Sequence, residues 1–239
     1  MSHTSSLLTA LVIAGGITLG GFFPGYYYYK TRFYMRTVTV KGLAEKDVKS
    51  DLAVWNIRFQ SANNLLSVAK KDIEDQESTI RSFLKTSGFS ESEVITQGLA
   101  MQDAYADSYR DRNAIPARYT LTQTLTVRSQ QVDLIAKTYP QIGDLVSSGV
   151  NLSAYGNSVS YLFTGLNTIK PVMLNEATRN ARQAADEFAK NSGSKVGQIR
   201  SANQGVFSIL PREDIPDQSE REQINKKVRV VSTVEYYLD

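Results

Sequence analysis

Residues 117–128 read Ala-Arg-Tyr-Thr-Leu-Thr-Gln-Thr-Leu-Thr-Val-Arg, and this alternation decides the fold class. A strand turns successive side chains to opposite faces, so Tyr119, Leu121, Gln123, Leu125 and Val127 share one face and four threonines, Thr120 to Thr126, share the other. The first face is apolar enough to bury. The second is a good β surface that tolerates water or a polar partner. Working outward, Ala53, Trp55, Ile57 and Phe59 alternate with Val54, Asn56, Arg58 and Gln60, which predicts a half-buried strand over about 48–60. A shorter strand, 37–41, precedes it and ends at Gly42. A further strand is expected over about 93–105.

Between these strands the period changes. Leu66, Ala69, Ile73, Ile80 and Phe83 fall on one helical stripe with Gln76 in the gap, predicting a helix over about 63–85 stopped by Gly88. The charged residues on its other face, Lys70 to Arg81, read as a solvated surface. The second half repeats the order: a strand over 158–163, a helix over 171–191 with Pro171 as its first residue, and strands near 195–210 and 226–238. The stripe of that helix, Ala177, Ala181, Ala184, Ala185 and Phe188, is small and flat and permits close packing on a sheet. A helix over about 132–146, broken or kinked at Pro140, links the halves. The fold class is therefore α+β, with two βαββ-like units at about 48–128 and 158–238 inside a domain of residues 37–239. The polar stretch 211–225 is long for a hairpin and reads as a disordered surface loop or a contact arm for a neighbouring subunit.

Residues 1–36 read differently. From Leu7 to Phe23 the chain is apolar and uncharged, and these seventeen residues would rise roughly 25 Å as a helix, close to the hydrocarbon thickness of a bilayer. Tyr26, Tyr27, Tyr28 and Tyr29 suit the headgroup layer, and Lys30 and Arg32 suit the phosphates, so these six residues are assigned to the membrane interface. No A-x-A site follows the run, which argues for an uncleaved single transmembrane helix. Gly16 and Gly20 make a G-x-x-x-G that reads as incidental in so glycine-rich a segment. His3 lies ahead of the span, in a tail read as unstructured.

Composition excludes much chemistry. The chain has no cysteine and one histidine, His3, which removes thiolate metal sites, cysteine nucleophiles and a Ser-His-Asp triad from the folded body. Lys30, Arg32 and Arg36 are the only charged side chains before residue 37, so 24 of the 27 basic residues remain to face 24 acidic ones. A body this neutral has no field to gather nucleic acid. Asp103, Asp107 and Asp111 have carboxylate spacing but lack the glycine and terminal glutamate of a calcium loop, so no metal is assigned. Nothing in the spacing of Asp103, Asp107 or Glu176 sets two acids across a cleft. Glu176 with Arg179, and Arg182 nearby, reads as a surface ion pair, and Ser192-Gly193-Ser194-Lys195 as a helix stop rather than a Ser-Lys dyad. No catalytic residue and no cofactor are assigned.

Several segments together resemble the bacterial SIMPL-domain family: Val38-Thr-Val-Lys-Gly42 with Ala44-Glu45, Asp51-Leu-Ala-Val-Trp55, Ala177-Thr-Arg-Asn-Ala181-Arg-Gln-Ala184, Gly193-Ser-Lys-Val-Gly197 and Gly205-Val-Phe-Ser-Ile209. The resemblance implies an α+β domain exported to the cell envelope, with no established catalytic site. It also implies a link to oxidative stress and, from ring-forming members, homo-oligomerisation. Ser50 stands where a proline is frequent in relatives. The three basic residues beyond the span favour a cytoplasmic body, whereas the resemblance favours export, and large domains translocate despite nearby charge. The reading adopted is an inner-membrane anchor carrying a non-enzymatic, self-assembling periplasmic body. The alternative is a periplasmic binder of a small ligand, or a carboxylate-based hydrolase.

Overall fold

A computed structural model describes residues 3–33, 36–106 and 116–239, with side chains described from Ile13 to Tyr29 and again from Arg36. The elements are α1 (His3–Phe33), β1 (Arg36–Lys49), β2 (Leu52–Asn63), α2 (Leu66–Thr86), β3 (Val94–Thr96), β4 (Ala100–Asp103), β5 (Tyr119–Ser129), α3 (Val132–Thr138), α4 (Gly143–Ser147), β6 (Ser158–Leu162), α5 (Leu166–Asn191), β7 (Val196–Gln204), β8 (Ser208–Pro211) and β9 (Asn225–Leu238). Two sheets with helices make the architecture α+β, as the alternation and the helical stripes require. The chain divides into two compact units, Met1–Ala44 with Val172–Phe207 and Val230–Asp239, and Glu45–Pro171 with Ser208–Arg229.

The second of these units holds a five-stranded sheet in the order β3-β5-β2-β6, with β4 also paired to β5. The threonine-ladder strand β5 runs antiparallel to β2 from Ala53 opposite Ser129 to Asn63 opposite Tyr119. That register puts Trp55, Ile57 and Phe59 on the face of Leu121, Leu125 and Val127, and α2 covers them. Trp55, Ile57 and Phe59 have no exposed surface. Burying each contributes about 1.5–3 kcal/mol. The stripe of α2 is Ala69, Ile73, Gln76, Ile80 and Leu84. Leu66, at the start of the helix, is exposed, whereas Phe83 is half-buried and packs on the same core beside Leu84. Gln76 is buried there because its amide donates to the Gln60 carbonyl at 3.3 Å and its oxygen accepts the Asn151 N–H at 2.9 Å.

Several expectations are corrected. The strand over 93–105 is two strands, because four steps from Thr96 to Ala100 oppose three from Leu125 to Thr122, leaving one extra residue beside Gly98. The link between halves is α3 and α4 with a 3₁₀ turn at Tyr139–Ile142, so Pro140 breaks the helix as expected. β6 pairs with β2, so it closes the sheet of the first half rather than starting one of its own. The polar stretch after β8 is folded on itself: Ser219 and Glu222 form a capping box over a 3₁₀ turn, and Gln223 donates to the Glu213 carbonyl at 2.8 Å.

The other unit contains β1, β9 and β7 in that order, with α5 laid on them. β1 runs straight through Gly42 instead of ending there. The buried row of α5 is Met173, Ala177, Ala181, Ala185 and Ala189, an unbroken spacing of four. Phe188, expected on the stripe, is 57% exposed, and Ala184 is only half-buried. Helix α5 starts at Leu166 rather than Pro171, which sits one turn inside it, where proline forfeits one ladder hydrogen bond.

The N-terminal segment is helical from His3, contrary to an unstructured tail, and continues through Pro24 to Phe33. Among the described residues no helix is long and apolar enough to cross a membrane. The side chains of Leu7 to Val12, and of Lys30 and Arg32, lie outside those described.

Candidate functional site

The antiparallel register brings four strand ends to one end of the five-stranded sheet. Leu52 opposes Leu162, Ala53 opposes Ser129, and Val94 opposes Val127. The residues just beyond these pairs, Asp51, Thr164, Arg128, Gln130, Gln131 and Glu93, therefore converge around a cleft of about 840 Å³. A smaller hollow of about 450 Å³ shares Gln130 and Gln131 and is lined further by Lys49, Ser50 and Asp133.

Asp51 is held by the backbone. Its carboxylate accepts the N–H groups of Thr164 at 2.8 Å and Gly165 at 3.0 Å, and its own N–H donates to the Leu162 carbonyl at 3.0 Å. Thr164 and Gly165 immediately precede α5, so the carboxylate just before β2 caps the helix that follows β6 and meets the positive end of its dipole. Asp51→Ala should cost about 1–2 kcal/mol in urea unfolding, while Asp51→Asn, which keeps an acceptor, should cost less. Equal losses in the two variants would contradict this capping role.

Glu93 is half-buried. Burial pushes its carboxyl up, but hydrogen bonds from the Ser129 hydroxyl, the Ser90 N–H and the Ser90 hydroxyl outweigh it and hold the group below the ordinary glutamate value. Ser129 is itself buried and accepts the Gln131 N–H at 3.0 Å, which fixes the Gln130–Gln131 wall. A depressed folded value means the stabilisation is complete above the ordinary glutamate pKa, about 4.3, and is lost as pH falls through the folded value. Glu93→Gln should therefore flatten the fall of stability with acidity below that pH. Parallel pH curves for variant and wild type would refute the assignment.

The arrangement suits binding better than bond cleavage. Both acids are already engaged, and the unit that holds them contains neither histidine nor cysteine. Arg128 has no ion-pair or hydrogen-bond partner among the described residues. The hydroxyl of Ser50, a residue only 4% exposed, has none either.

The residues singled out from sequence lie elsewhere. Tyr26 to Tyr29 are exposed on α1, where Tyr26 stacks on Phe22 at 5.9 Å. Asp103 is bonded to Arg118, whose guanidinium lies 5.0 Å from the Tyr105 ring and 4.7 Å from the Tyr119 ring. That hydrogen bond is the chief reason the Asp103 carboxyl is held below its ordinary value. Asp107 and Asp111 lie outside the described residues, among which no group of three or more carboxylate or imidazole ligands is placed to hold a metal. Glu176 and Arg179 form no ion pair; Arg182 instead pairs with Asp186 at 3.3 Å and donates to the carbonyls of Val196 and Gly197. Ser192 to Ser194 form the helix stop, with Gly193 at a φ of 70° and the Ser194 N–H on the Ala189 carbonyl. Sequence reasoning missed Glu93, Arg128, Gln130, Gln131 and Thr164, because only the strand register brings them together. The one available signal was Arg128, where a cation ends the threonine ladder.

The fold is thus a two-sheet α+β arrangement with a polar cleft at the strand ends of its five-stranded sheet. The chain belongs to the SIMPL family, described as a protein of unknown function (DUF541), which it matches over residues 38–236. No curated protein matches it. Among solved structures it is similar to the regulatory subunit of aspartate kinase from Thermus flavus, at 14% identity over 82% of this chain and 89% of that one, with a TM-score of 0.17. It is also similar to an uncharacterised conserved protein from Listeria innocua, at 12% identity over 78% and 90%, with a TM-score of 0.18. At such scores neither carries an argument.

Proposed function

We propose that this SIMPL-family protein is a non-enzymatic scaffold of the bacterial cell envelope, tethered to the inner membrane by residues 7–23, with its domain in the periplasm. The observation that carries the non-enzymatic part is the engaged state of the cleft's acids: Asp51 is spent on backbone N–H groups and Glu93 on serines. Proton transfer needs a group free to change partners, and neither acid is. The tether rests on the uncharged run and on the tyrosines that follow it. Self-assembly is supported by β7, which ends its sheet and is exposed along most of its length, with Ile199 53% exposed, because an open strand edge is a template for a second chain. A role in stress tolerance would then be indirect, since the chain offers no cysteine to an oxidant.

Parallel C-terminal fusions to alkaline phosphatase and green fluorescent protein test the topology: active phosphatase with dark fluorescent protein is expected, and the reverse would overturn export. Light scattering of the detergent-extracted full-length protein should give one discrete oligomer, and a monomer would overturn assembly. A second reading, binding of a small ligand in the cleft, is favoured by the unpartnered guanidinium of Arg128.

A further inference from the structure

We propose that the threonine face of the five-stranded sheet binds an acidic polysaccharide, with the sugar hydroxyls on the threonines and the sugar carboxylates on Arg58 and Arg128. The register builds this face. Residues directly opposite each other in an antiparallel pair point to the same side, so Asn56 with Thr126, Arg58 with Thr124, Gln60 with Thr122 and Val54 with Arg128 all turn away from the core that holds Trp55. Thr126 is spent within the sheet, donating to the Asn56 side-chain oxygen at 2.8 Å and accepting from the Gln97 amide at 3.1 Å. Thr120, Thr122 and Thr124 are half-buried, and their hydroxyls have no partner among the described residues.

Charge selects an anionic occupant. Arg58 and Arg128 are both exposed, and neither guanidinium has a partner among the described residues. No residue that the five strands place on this side is acidic. Glu93, just ahead of β3, is committed to Ser90 and Ser129. An anion on the face is therefore attracted by both arginines and repelled by no carboxylate of the strands. The neutral groups narrow the class further. A threonine hydroxyl and a glutamine amide each donate and accept, as a sugar hydroxyl does, so the row along β5 and Gln60 can match a sugar chain whichever way its hydroxyls turn. A protein partner would need an apolar or aromatic centre to desolvate, whereas the centre of this face is threonine. Single-stranded nucleic acid would need rings under successive bases and cations along its phosphates, and the strands present here two cations and no ring. The face is also a different site from the strand-end cleft: Arg128 lines both, and Arg58 lines only the face.

Calorimetric titration of the detergent-extracted full-length protein with oligogalacturonate, its methyl ester and oligothymidylate tests this. Oligogalacturonate should bind, and the ester, which keeps the hydroxyls and loses the charge, should bind about tenfold more weakly. Arg58→Gln and Arg128→Gln, changes at exposed positions, should each weaken the acid by roughly tenfold and leave the ester unaffected. Thr122→Val with Thr124→Val, which keeps the shape and strand preference of the residues, should weaken acid and ester in the same proportion. Lys70→Gln, on the exposed side of α2, should change neither. Equal binding of acid and ester, a loss in Lys70→Gln, or no loss in the valine variant or in Arg58→Gln would overturn the inference. If Arg128→Gln alone weakened the acid, the anion would lie in the cleft, and the small-ligand reading would stand without the face. Tighter binding of oligothymidylate than of oligogalacturonate would overturn the choice of polysaccharide, and binding of none of the three would overturn the face as a ligand site while leaving the scaffold reading untouched.

Discussion

Gly42→Ala is expected to destabilise the protein by about 3 kcal/mol or more and to lower its melting temperature by roughly 6–12 °C. A methyl group at this position would stand 1.8 Å from the Ala177 carbonyl oxygen and 2.5 Å from the Ala181 nitrogen, both of them backbone atoms of α5. No rotamer change can relieve such a clash. Either α5 lifts from β1, separating Ala181 and Ala185 from Val38, Val234 and Tyr236, or β1 bends away. The alanines of α5 explain why the approach is this close: with only methyl groups on its buried row, the helix sits on the sheet with backbone nearly touching backbone. Trimming a side chain opposite cannot compensate, so Ala181→Gly in the same chain should not restore stability. Gly98→Ala is the control, since nothing lies within 4 Å of a methyl group there, and it should leave melting within about 1 °C. Circular dichroism melts of the three variants decide it. A Gly42→Ala protein that melts like the Gly98→Ala control would show that the helix does not pack on Gly42.

Gly42 also marks the limit of what sequence could say. The family-like segment Val38 to Gly42 read as a strand with a terminal glycine, whereas the strand continues through it and the glycine is required by a helix some 135 residues later in the chain. Local periodicity was legible where burial is one-sided: the alternation of Ala53 to Phe59 and of Leu121 to Val127, and the alanine row of α5, all face their cores. It failed where one residue more or less changes the face. Phe188 is exposed although it lies next to the buried Ala189, because a row spaced strictly by four passes it by. The start of α5 was misread because Pro171 is a good first residue, while the feature that sets the start is the carboxylate of Asp51, more than a hundred residues earlier. The cleft was hidden for the same reason. Glu93, Arg128 and Thr164 are unremarkable in sequence and meet only through the pairing of β3, β5, β2 and β6.

The polar loop after β8 makes the strongest case for long-range control, and Lys226→Ala is the second large effect expected. Fifteen mostly polar residues suggested a surface loop without regular structure, yet Lys226 at its end has no exposed surface. Its ammonium donates to the Glu220 carbonyl at 2.5 Å and pairs with the Glu220 carboxylate at 2.5 Å. A lysine can be buried this way only if both its charge and its donors are met, and the 3₁₀ turn at Glu220 supplies them. Ile224, between the turn and β9, packs on the core that contains Trp55 and Phe59, and its carbonyl accepts the Ser50 N–H at 2.9 Å. Removing the ammonium leaves Glu220 unpaired and opens a void where the stem lay, which should cost about 3 kcal/mol. Lys226→Met fills the stem's volume without the charge, and should lose about 1 kcal/mol less than the alanine variant. The amide of Ser50 reports the loop directly. In Lys226→Ala its hydrogen exchange should become faster than that of the β2 amides, because its acceptor is released before the sheet opens. A Ser50 amide that stays as protected as β2 in a protein of unchanged stability would mean that the buried ion pair does not hold the loop to the core.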